Sequence, residues 1–312
     1  MSKKIINLKE KDSLTIRVLI SNVNKGVTNS GAPYMSLTLQ DTTGNIEAKY
    51  WDVKPAQSDI IEQGKVYDVQ LEVIKYRNNL QGKIHLVTLC DENEVDLNDF
   101  VKTSEVPMEE LKSGIKSYIN AIENPIIHQV IVEVMKIYHE DFFAYPAASK
   151  NHHNFVGGLA THVLGMLNVA KDMADLYPIL SRDLLYAGVI LHDIGKIDEL
   201  SGAFMTEYTM KGKLLGHISI MQAHIYEISK KLGYEESEEV TLLRHLILSH
   251  HGQLEYGSPV LPMIAEAEML QFIDNIDARM EMLKRTFETT ENQQFTARLF
   301  ALENRSFYKH DK

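Results

Sequence analysis

The chain has 312 residues, of which 44% are hydrophobic and 24% charged, a composition that excludes an intrinsically disordered protein. Its one cysteine excludes an internal disulfide, and no apolar run is long enough for a membrane helix or a signal peptide. The net charge is −11, yet residues 1–90 carry 12 basic and 9 acidic side chains. We therefore expect a cytoplasmic protein that would meet a phosphate-bearing partner through residues 1–90.

Residues 1–90 alternate apolar and polar side chains at the two-residue period of β-strands. Five strands are predicted, at 13–23, 34–41, 46–51, 66–76 and 83–90. Turn-forming residues separate them, including a long loop at 24–33 and a hairpin turn at 42–45. With a non-strand segment at 55–63 before the fourth strand, this order resembles an OB-fold, a small closed β-barrel.

OB-folds commonly bind single-stranded nucleic acid by stacking bases on aromatic side chains in a basic groove. The resemblance therefore implies nucleic-acid contacts among the exposed aromatic and basic residues of the strands. The candidates are Tyr34, Lys49, Trp51, Tyr76 and Arg77. The alternative for each aromatic ring is a place in the barrel core.

Beyond residue 90 the period changes from two residues to that of α-helices. Residues 91–106 begin as an acidic, polar stretch and are predicted to be a linker, and 107–312 are predicted to form a helical domain. Helices are expected at 108–122, 125–138, 155–176, 182–191, 213–232, 238–249 and 262–287. The predicted fold is thus an all-β barrel followed by an all-α domain. The two helices at 107–138 offer an assembly surface, so a homo-oligomer stays open.

The helical part places histidine and aspartate side chains where apolar helices would bury them. The positions are His162, His192, Asp193, His217, His250, His251 and Asp274. A single buried histidine is usually a hydrogen-bonded core residue, but burying so many polar groups without partners costs several kcal/mol each. A shared cation removes that cost, because imidazole and carboxylate bind Mn, Fe, Co, Ni or Zn. The pattern favours a metal site.

These residues also match a family. The order His162, His192–Asp193, Asp274 resembles the H…HD…D signature of HD-domain phosphohydrolases, which bind one metal from several helices. His217, His250 and His251 are similar to the extra histidines that build a second site in the HD-GYP branch. The resemblance implies two divalent metals sharing Asp193, with Mn²⁺ first and Fe, Co, Ni, Zn or Mg as alternatives. Gly252 stands where that branch has a glutamate, so its cyclic-dinucleotide specificity does not carry over.

A barrel placed before an HD domain resembles the YhaM-type 3′–5′ exoribonucleases. The resemblance covers nearly the whole chain, including 151–162, the HDIGK motif at 192–196 and SHHG at 249–252. It implies metal-dependent hydrolysis of phosphodiester bonds in single-stranded RNA, with single-stranded DNA as an alternative substrate, while the barrel holds the strand. The candidate catalytic residues are Asp193, Lys196 and His153. Lys196 would contact a phosphate oxygen, with a surface lysine as the alternative. His153 would protonate a leaving group or contact a substrate phosphate, with a helix cap or a solvent-facing residue as the alternative.

Two other interpretations stay open. An HD-family nucleotide phosphohydrolase would use the barrel for regulation or assembly and would prefer mononucleotides to oligonucleotides. A non-catalytic DNA-binding or replication-associated protein would bind nucleic acid through the barrel and keep the metal site for structure. Proteins that read duplex DNA usually carry a concentrated basic helix, and this sequence has none.

Overall fold

The structure, a computed structural model, describes residues 3–28, 30–77, 79–96, 99–101, 103–147, 155–202 and 208–311. The chain divides into two compact units, 1–103 and 104–312. The division falls within the predicted linker, which begins with a turn of 3-10 helix at Glu92–Glu94 and buries Phe100 and Val101. Among the described helices, none combines the length and the apolar character needed to cross a membrane.

The described residues of the first unit form a closed five-stranded barrel. Its strands are β1 (Ser13–Val27), β2 (Pro33–Asp41), β3 (Gly44–Trp51), β4 (Val66–Tyr76) and β5 (Asn79–Leu89). They are ordered β1-β2-β3-β5-β4, and all pair antiparallel except β3 with β5. A one-turn helix, α1 (Pro55–Ser58), connects β3 to β4. This topology confirms the OB-like barrel predicted from the sequence.

The first strand is longer than predicted. β1 continues to Val27 because residues 24–27 pair in register with 33–36 of β2, which shortens the predicted 24–33 loop to 28–32. This end of the β1–β2 hairpin is largely exposed, since Val27 is 72% accessible. Strands that face solvent can contain polar residues, which is why these residues suggested a loop in the sequence.

The second unit is helical after residue 107. Its helices are α2 (Met108–Asn120), α3 (Pro125–Ala144), α4 (Gly158–Leu176), α5 (Arg182–Leu191), α6 (Lys196–Glu199), α7 (Met210–Leu232), α8 (Glu238–Ser249) and α9 (Ala265–Glu288). Two short strands, β6 (Gln294–Phe295) and β7 (Tyr308–Lys309), pair near the end of the chain. The bounds of α5 and α8 agree with the prediction, because Ser181 and Ser237 cap their first turns. The sequence did not predict α6.

Helix α5 lies at the centre of this unit, packed against α3, α4, α8 and α9. Residues 185–191 are buried on every side of the helix. Because α5 ends at Leu191, inside the core rather than at the surface, the chain delivers the next two residues, His192 and Asp193, into the protein interior. The position of the polar site therefore follows from where this apolar helix stops.

The barrel offers a direct stability test at Tyr67, which is fully buried on β4. Its hydroxyl accepts a hydrogen bond from the backbone N–H of Glu62 (2.8 Å) and donates one to the carbonyl of Ile60 (2.9 Å). We expect Tyr67→Phe to lower the free energy of unfolding by about 1–3 kcal/mol, because two hydrogen bonds of the buried hydroxyl are lost. Fluorescence of Trp51, the single tryptophan, reports barrel unfolding in urea.

Tyr76→Phe is the matched control, since Tyr76 is 53% exposed, and it should leave the urea midpoint unchanged. Equal midpoints for Tyr67→Phe and wild type would contradict a stabilising role for the buried Tyr67 hydroxyl.

Candidate metal centre

Seven side chains from five helices or the residues directly after them meet inside the helical unit, and we call them the His–Asp cluster. They are His162 on α4, His192 and Asp193 after α5, His217 on α7, His250 and His251 after α8, and Asp274 on α9. They are the metal ligands expected from the sequence. The ligand atoms of six of them form two adjoining groups, and Asp274 lies beside the group that contains His162.

The first group contains His162, His192 and Asp193, whose ligand atoms all lie within 4.8 Å of one another. Asp274 joins it, since its Oδ1 is 3.2 Å from His162 Nε2. Asp193 Oδ2 is 3.3 Å from His192 Nε2. Both histidines are fully buried. Two imidazoles and one carboxylate thus lie around one point, with the Asp274 carboxylate beside His162, and such a mixed nitrogen and oxygen set suits a divalent metal.

The second group contains His217, His250 and His251, whose ligand atoms also lie within 4.8 Å of one another. It adjoins the first group through Asp193, because Oδ1 of this carboxylate is 3.7 Å from His217 Nε2 and 3.9 Å from His250 Nε2. The two oxygens of Asp193 therefore face different histidine sets. This is the arrangement expected of a carboxylate that bridges two cations.

The other ring nitrogen of every histidine in the cluster faces an acceptor. The Nδ1 contacts are His162 to Asp277 Oδ2 (2.7 Å), His192 to Val189 O (2.9 Å), His217 to Glu199 Oε1 (3.3 Å), His250 to Ile247 O (2.7 Å) and His251 to Tyr256 O (2.7 Å). Since each acceptor requires a proton on Nδ1, a neutral ring keeps the lone pair on Nε2. All five rings are therefore oriented so that Nε2 can ligate a metal when the ring is neutral.

A second observation supports a metal in this cluster. In the part of the chain that the structure describes, no hydrogen bond reaches Asp193 Oδ1 or the Nε2 atoms of His192, His217 and His250, although all are buried. Buried polar atoms without a partner cost about 1–3 kcal/mol each. Divalent cations bound among these atoms would satisfy them.

Two glycines allow the helices to approach this closely. Gly216, with φ of 72° and ψ of 153°, interrupts α7 immediately before His217 and turns that residue toward Asp193. A Cβ on Gly195 would lie 2.3 Å from the carbonyl oxygen of His217, so a side chain there would push α7 away. The glycine of the HDIGK motif thus has a packing role between the two halves of the site.

The protonation states of His250 and Asp193 suit cation binding. Burial, together with the neighbouring His251, holds the pKa of His250 well below its ordinary value, so its ring is neutral at pH 7. Burial opposes ionisation of Asp193, but its interactions with His192 and with the Lys196 ammonium hold the pKa of its carboxyl well below the usual range. A carboxylate beside neutral imidazoles is the form that ligates metals.

His162 differs from the other histidines. Burial lowers its pKa, but hydrogen bonds to Asp274 and Asp277 outweigh burial and raise it to about 10. In the metal-free protein, a proton on Nε2 therefore links His162 to Asp274. A cation bound between those two atoms must displace that proton.

Two further residues support the ligands. The Lys196 ammonium donates to Asp193 Oδ2 (2.6 Å) and to the carbonyl of Ala147 (2.9 Å). Glu199 accepts from both the backbone N–H (3.1 Å) and Nδ1 of His217 (3.3 Å). Lys196 thus lies beside the cluster, and its predicted contact with a phosphate oxygen stays a prediction. The sequence did not reveal Glu199. In the sequence, Glu199 is distinguished only by being a carboxylate three residues after Lys196.

His153, which the sequence predicts to be catalytic, lies outside the described residues.

The nucleic-acid contacts predicted on the barrel fall into two places. Tyr34 and Trp51 are cross-strand partners with ring centroids 5.1 Å apart, and the Lys49 ammonium is 5.2 Å from the centre of the Tyr34 ring.

Tyr76 and Arg77 lie together at the β4–β5 turn, with the guanidinium 5.4 Å from the centre of the Tyr76 ring. The register also aligns Lys83 of β5 with Lys49, which adds a second ammonium to the Trp51 side. The sequence places Lys83 among the basic residues close to the barrel aromatics, but its position beside Lys49 depends on the parallel pairing of β3 with β5, which is a tertiary feature.

Fold and site together define an HD-type metal centre, and comparison with known proteins agrees. The HD domain family matches residues 159–279, a span that includes the whole His–Asp cluster. A solved OB-fold domain, the second of replication protein A from Methanococcus maripaludis, is 21% identical and covers 30% of this chain and 97% of that domain, with a TM-score of 0.25. Because this TM-score is low, the assignment of the barrel as OB-like rests on its strand order.

Curated relatives match almost the full length. The chain is 46% identical to the 3′-5′ exoribonuclease YhaM of Geobacillus sp. (strain WCH70), over 99% of this chain and 95% of that protein. It is 49% identical to the protein of that name from Bacillus velezensis, over 93% of both chains. For Bacillus subtilis (strain 168) the identity is 48%, over 94% of this chain and 93% of that one. The chain belongs to the YhaM family, as predicted from the sequence.

The raised pKa of His162 predicts that metal uptake releases a proton. Since its pKa is about 10, His162 is protonated at pH 7 in the metal-free protein, and a bound cation requires the neutral ring. Mn²⁺ affinity should therefore rise with pH up to about pH 10. Titration calorimetry in two buffers of different ionisation enthalpy should give different heats, corresponding to about one proton released per chain.

Asp277→Asn is the matched variant, because it keeps an acceptor for His162 Nδ1 and removes one of the two carboxylates that raise the pKa. Its Mn²⁺ affinity should depend less on pH between 7 and 10. Buffer-independent heats for the wild type would refute a protonated His162 in the metal-free protein.

Proposed function

We propose that the chain is a metal-dependent 3′–5′ exoribonuclease that hydrolyses phosphodiester bonds of single-stranded RNA at a dinuclear HD site. The observation that carries the proposal is the placement of Asp193 between two histidine groups. The relatives that share nearly the whole chain bear the name of this activity. Single-stranded DNA is the alternative substrate, and a cytoplasmic location and a homo-oligomeric state stay predictions.

His162, His192, Asp193 and Asp274 would hold one divalent cation. His217, His250 and His251 would hold the other, with Asp193 shared. Mn²⁺ is the first candidate, because the donors are imidazole nitrogens and carboxylate oxygens with no sulfur, and Fe, Co, Ni, Zn and Mg are the alternatives. When bound, such cations supply an activated water at neutral pH and neutralise charge on the phosphate.

The chain's own residues supply orientation and charge balance. Asp277, Glu199 and three backbone carbonyls fix the imidazole rings, so little reorganisation is needed when substrate arrives. Lys196 compensates the buried charge of Asp193, and two of its three N–H donors are already used. The third donor supports the proposed contact of Lys196 with a phosphate oxygen.

The barrel would hold the single strand. Trp51 is 45% exposed beside Tyr34, with Lys49 over the Tyr34 ring, so an aromatic platform and positive charge lie together on β2 and β3. Bases stack on such platforms independently of sequence, and the ammonium groups attract the phosphates. Tyr76 and Arg77 would form a second contact at the β4–β5 turn.

The activity is tested with a 5′-labelled single-stranded RNA, Mn²⁺ and the full chain. The wild type should produce a ladder that shortens from the 3′ end. Asp193→Ala should lower the rate at least about 1000-fold, because both cations lose a ligand. Asp172→Ala, on the exposed face of α4, is the control and should match the wild type.

If the wild type leaves RNA intact and hydrolyses mononucleotides, the chain is a nucleotide phosphohydrolase. If it cleaves neither and still binds single strands, the binding-protein interpretation replaces the proposal.

The role of the barrel is tested separately with Trp51→Ala. Removing a stacking platform costs about 1–3 kcal/mol per base, so KM for an RNA oligonucleotide should rise about tenfold or more while kcat changes little. Hydrolysis of bis(p-nitrophenyl) phosphate, which has no bases, should be unaffected. Leu89→Ala, at an exposed apolar position on β5, serves as the control. An unchanged KM for RNA would exclude this face as the binding surface.

A further inference from the structure

Four polar side chains form a closed ring beside the metal centre, and we call them the polar ring: Tyr138, Asp198, Lys211 and His224. They come from α3, α6 and α7. The Tyr138 hydroxyl is 2.9 Å from Asp198 Oδ2 and also contacts His224 Nδ1. The Lys211 ammonium is 3.4 Å from both Asp198 Oδ2 and His224 Nε2.

One assignment of protons satisfies every contact of the polar ring. A neutral His224 with its proton on Nδ1 donates to the Tyr138 oxygen, and the Tyr138 hydroxyl then donates to Asp198. Lys211 donates both to His224 Nε2 and to Asp198. Each atom thus has one consistent role as donor or acceptor, so the four side chains act as a unit. Burial, with the nearby Asp198, strongly raises the pKa of Tyr138, which keeps the hydroxyl protonated.

The polar ring is attached to the metal centre through α6. This helix has four residues, too few to be stable without external contacts. Its first residue, Lys196, reaches Asp193, and its last, Glu199, holds His217. Asp198 lies between them in sequence and points to the polar ring instead. Whatever fixes Asp198 therefore also fixes the two residues that support the cluster.

The backbone contacts of α6 hold its end from a different direction. The Thr209 hydroxyl donates to the carbonyls of Asp198 (2.9 Å) and Glu199 (3.2 Å). A Cβ on Gly212 would lie 2.2 Å from the Glu199 carbonyl oxygen, so α7 packs directly on this backbone. These contacts fix where the helix ends. The side-chain contact of Asp198 with the polar ring fixes how the turn is rotated, and hence where Glu199 points.

We propose that Tyr138 and His224 are positioning residues for the second metal. Through Asp198 they hold α6 in the rotation that places Glu199 beneath His217. The inference rests on the proposed dinuclear site and deepens it, because neither residue touches a ligand of the metals. Loss of the polar ring should weaken the cation held by His217, His250 and His251 more than the one held by His162, His192 and Asp274.

The test is Tyr138→Phe in the full chain, with stepwise Mn²⁺ binding measured by calorimetry and by electron paramagnetic resonance. The wild type should bind two ions. In Tyr138→Phe the ion held by His217, His250 and His251 should bind about tenfold less tightly, while the other ion and the melting temperature of the metal-free protein change little. Tyr118→Phe is the matched control, since its hydroxyl donates to Asn168 (2.9 Å), away from α6, and it should bind both ions normally.

Two further variants separate positioning from general loosening of the fold. His224→Asn keeps a donor toward Tyr138 and should retain the second ion, whereas His224→Leu should behave like Tyr138→Phe. Since Tyr138 acts through Glu199, the double variant Tyr138→Phe/Glu199→Ala should bind the second ion no more weakly than Glu199→Ala alone.

Additive losses in the double variant, or equal weakening of both ions, would overturn the proposal. Normal binding by Tyr138→Phe would overturn it as well and leave the dinuclear site intact. If the wild type binds fewer than two ions, the dinuclear site itself fails.

Discussion

The helical unit depends on one buried carboxylate. Asp193 is 3% exposed, and one of its oxygens faces the Nε2 atoms of His217 and His250 without a hydrogen bond from the described residues. An isolated buried carboxylate is strongly unfavourable. The Lys196 ammonium contacts only the second oxygen of Asp193, Oδ2, and does not satisfy Oδ1. Divalent cations bound in the His–Asp cluster would satisfy both oxygens at once. The packing of α5 and α7 around this point is therefore best understood as the construction of a metal site.

The rest of the unit follows from keeping that site ordered. Each histidine ring is held at Nδ1, partly by the helix that carries it, as with His192 and His250, and partly by carboxylates from elsewhere in the unit. Ligands that are already oriented lose little conformational entropy when a cation binds, which raises the affinity for that cation. An enzyme that removes one nucleotide after another benefits from a centre that does not reorganise between cycles.

Much of this could be predicted from the sequence, because the signals are local. Helix α5 is a capped apolar segment ending in His-Asp, and the barrel strands alternate at period two. What escaped prediction depends on tertiary contacts. Helix α6 has only one turn and no periodicity, so the role of Glu199 was not visible. The extension of β1 contradicted its own turn-forming composition, since pairing with β2 outweighed local propensity.

The most direct test of a dinuclear centre is a crystal structure of the full chain grown with Mn²⁺, using the anomalous signal of the metal. We predict two peaks about 3.5–4 Å apart, bridged by Asp193. One should be bound by His162, His192 and Asp274, and the other by His217, His250 and His251. A single peak, or two peaks that do not share Asp193, would contradict a dinuclear centre built on this carboxylate.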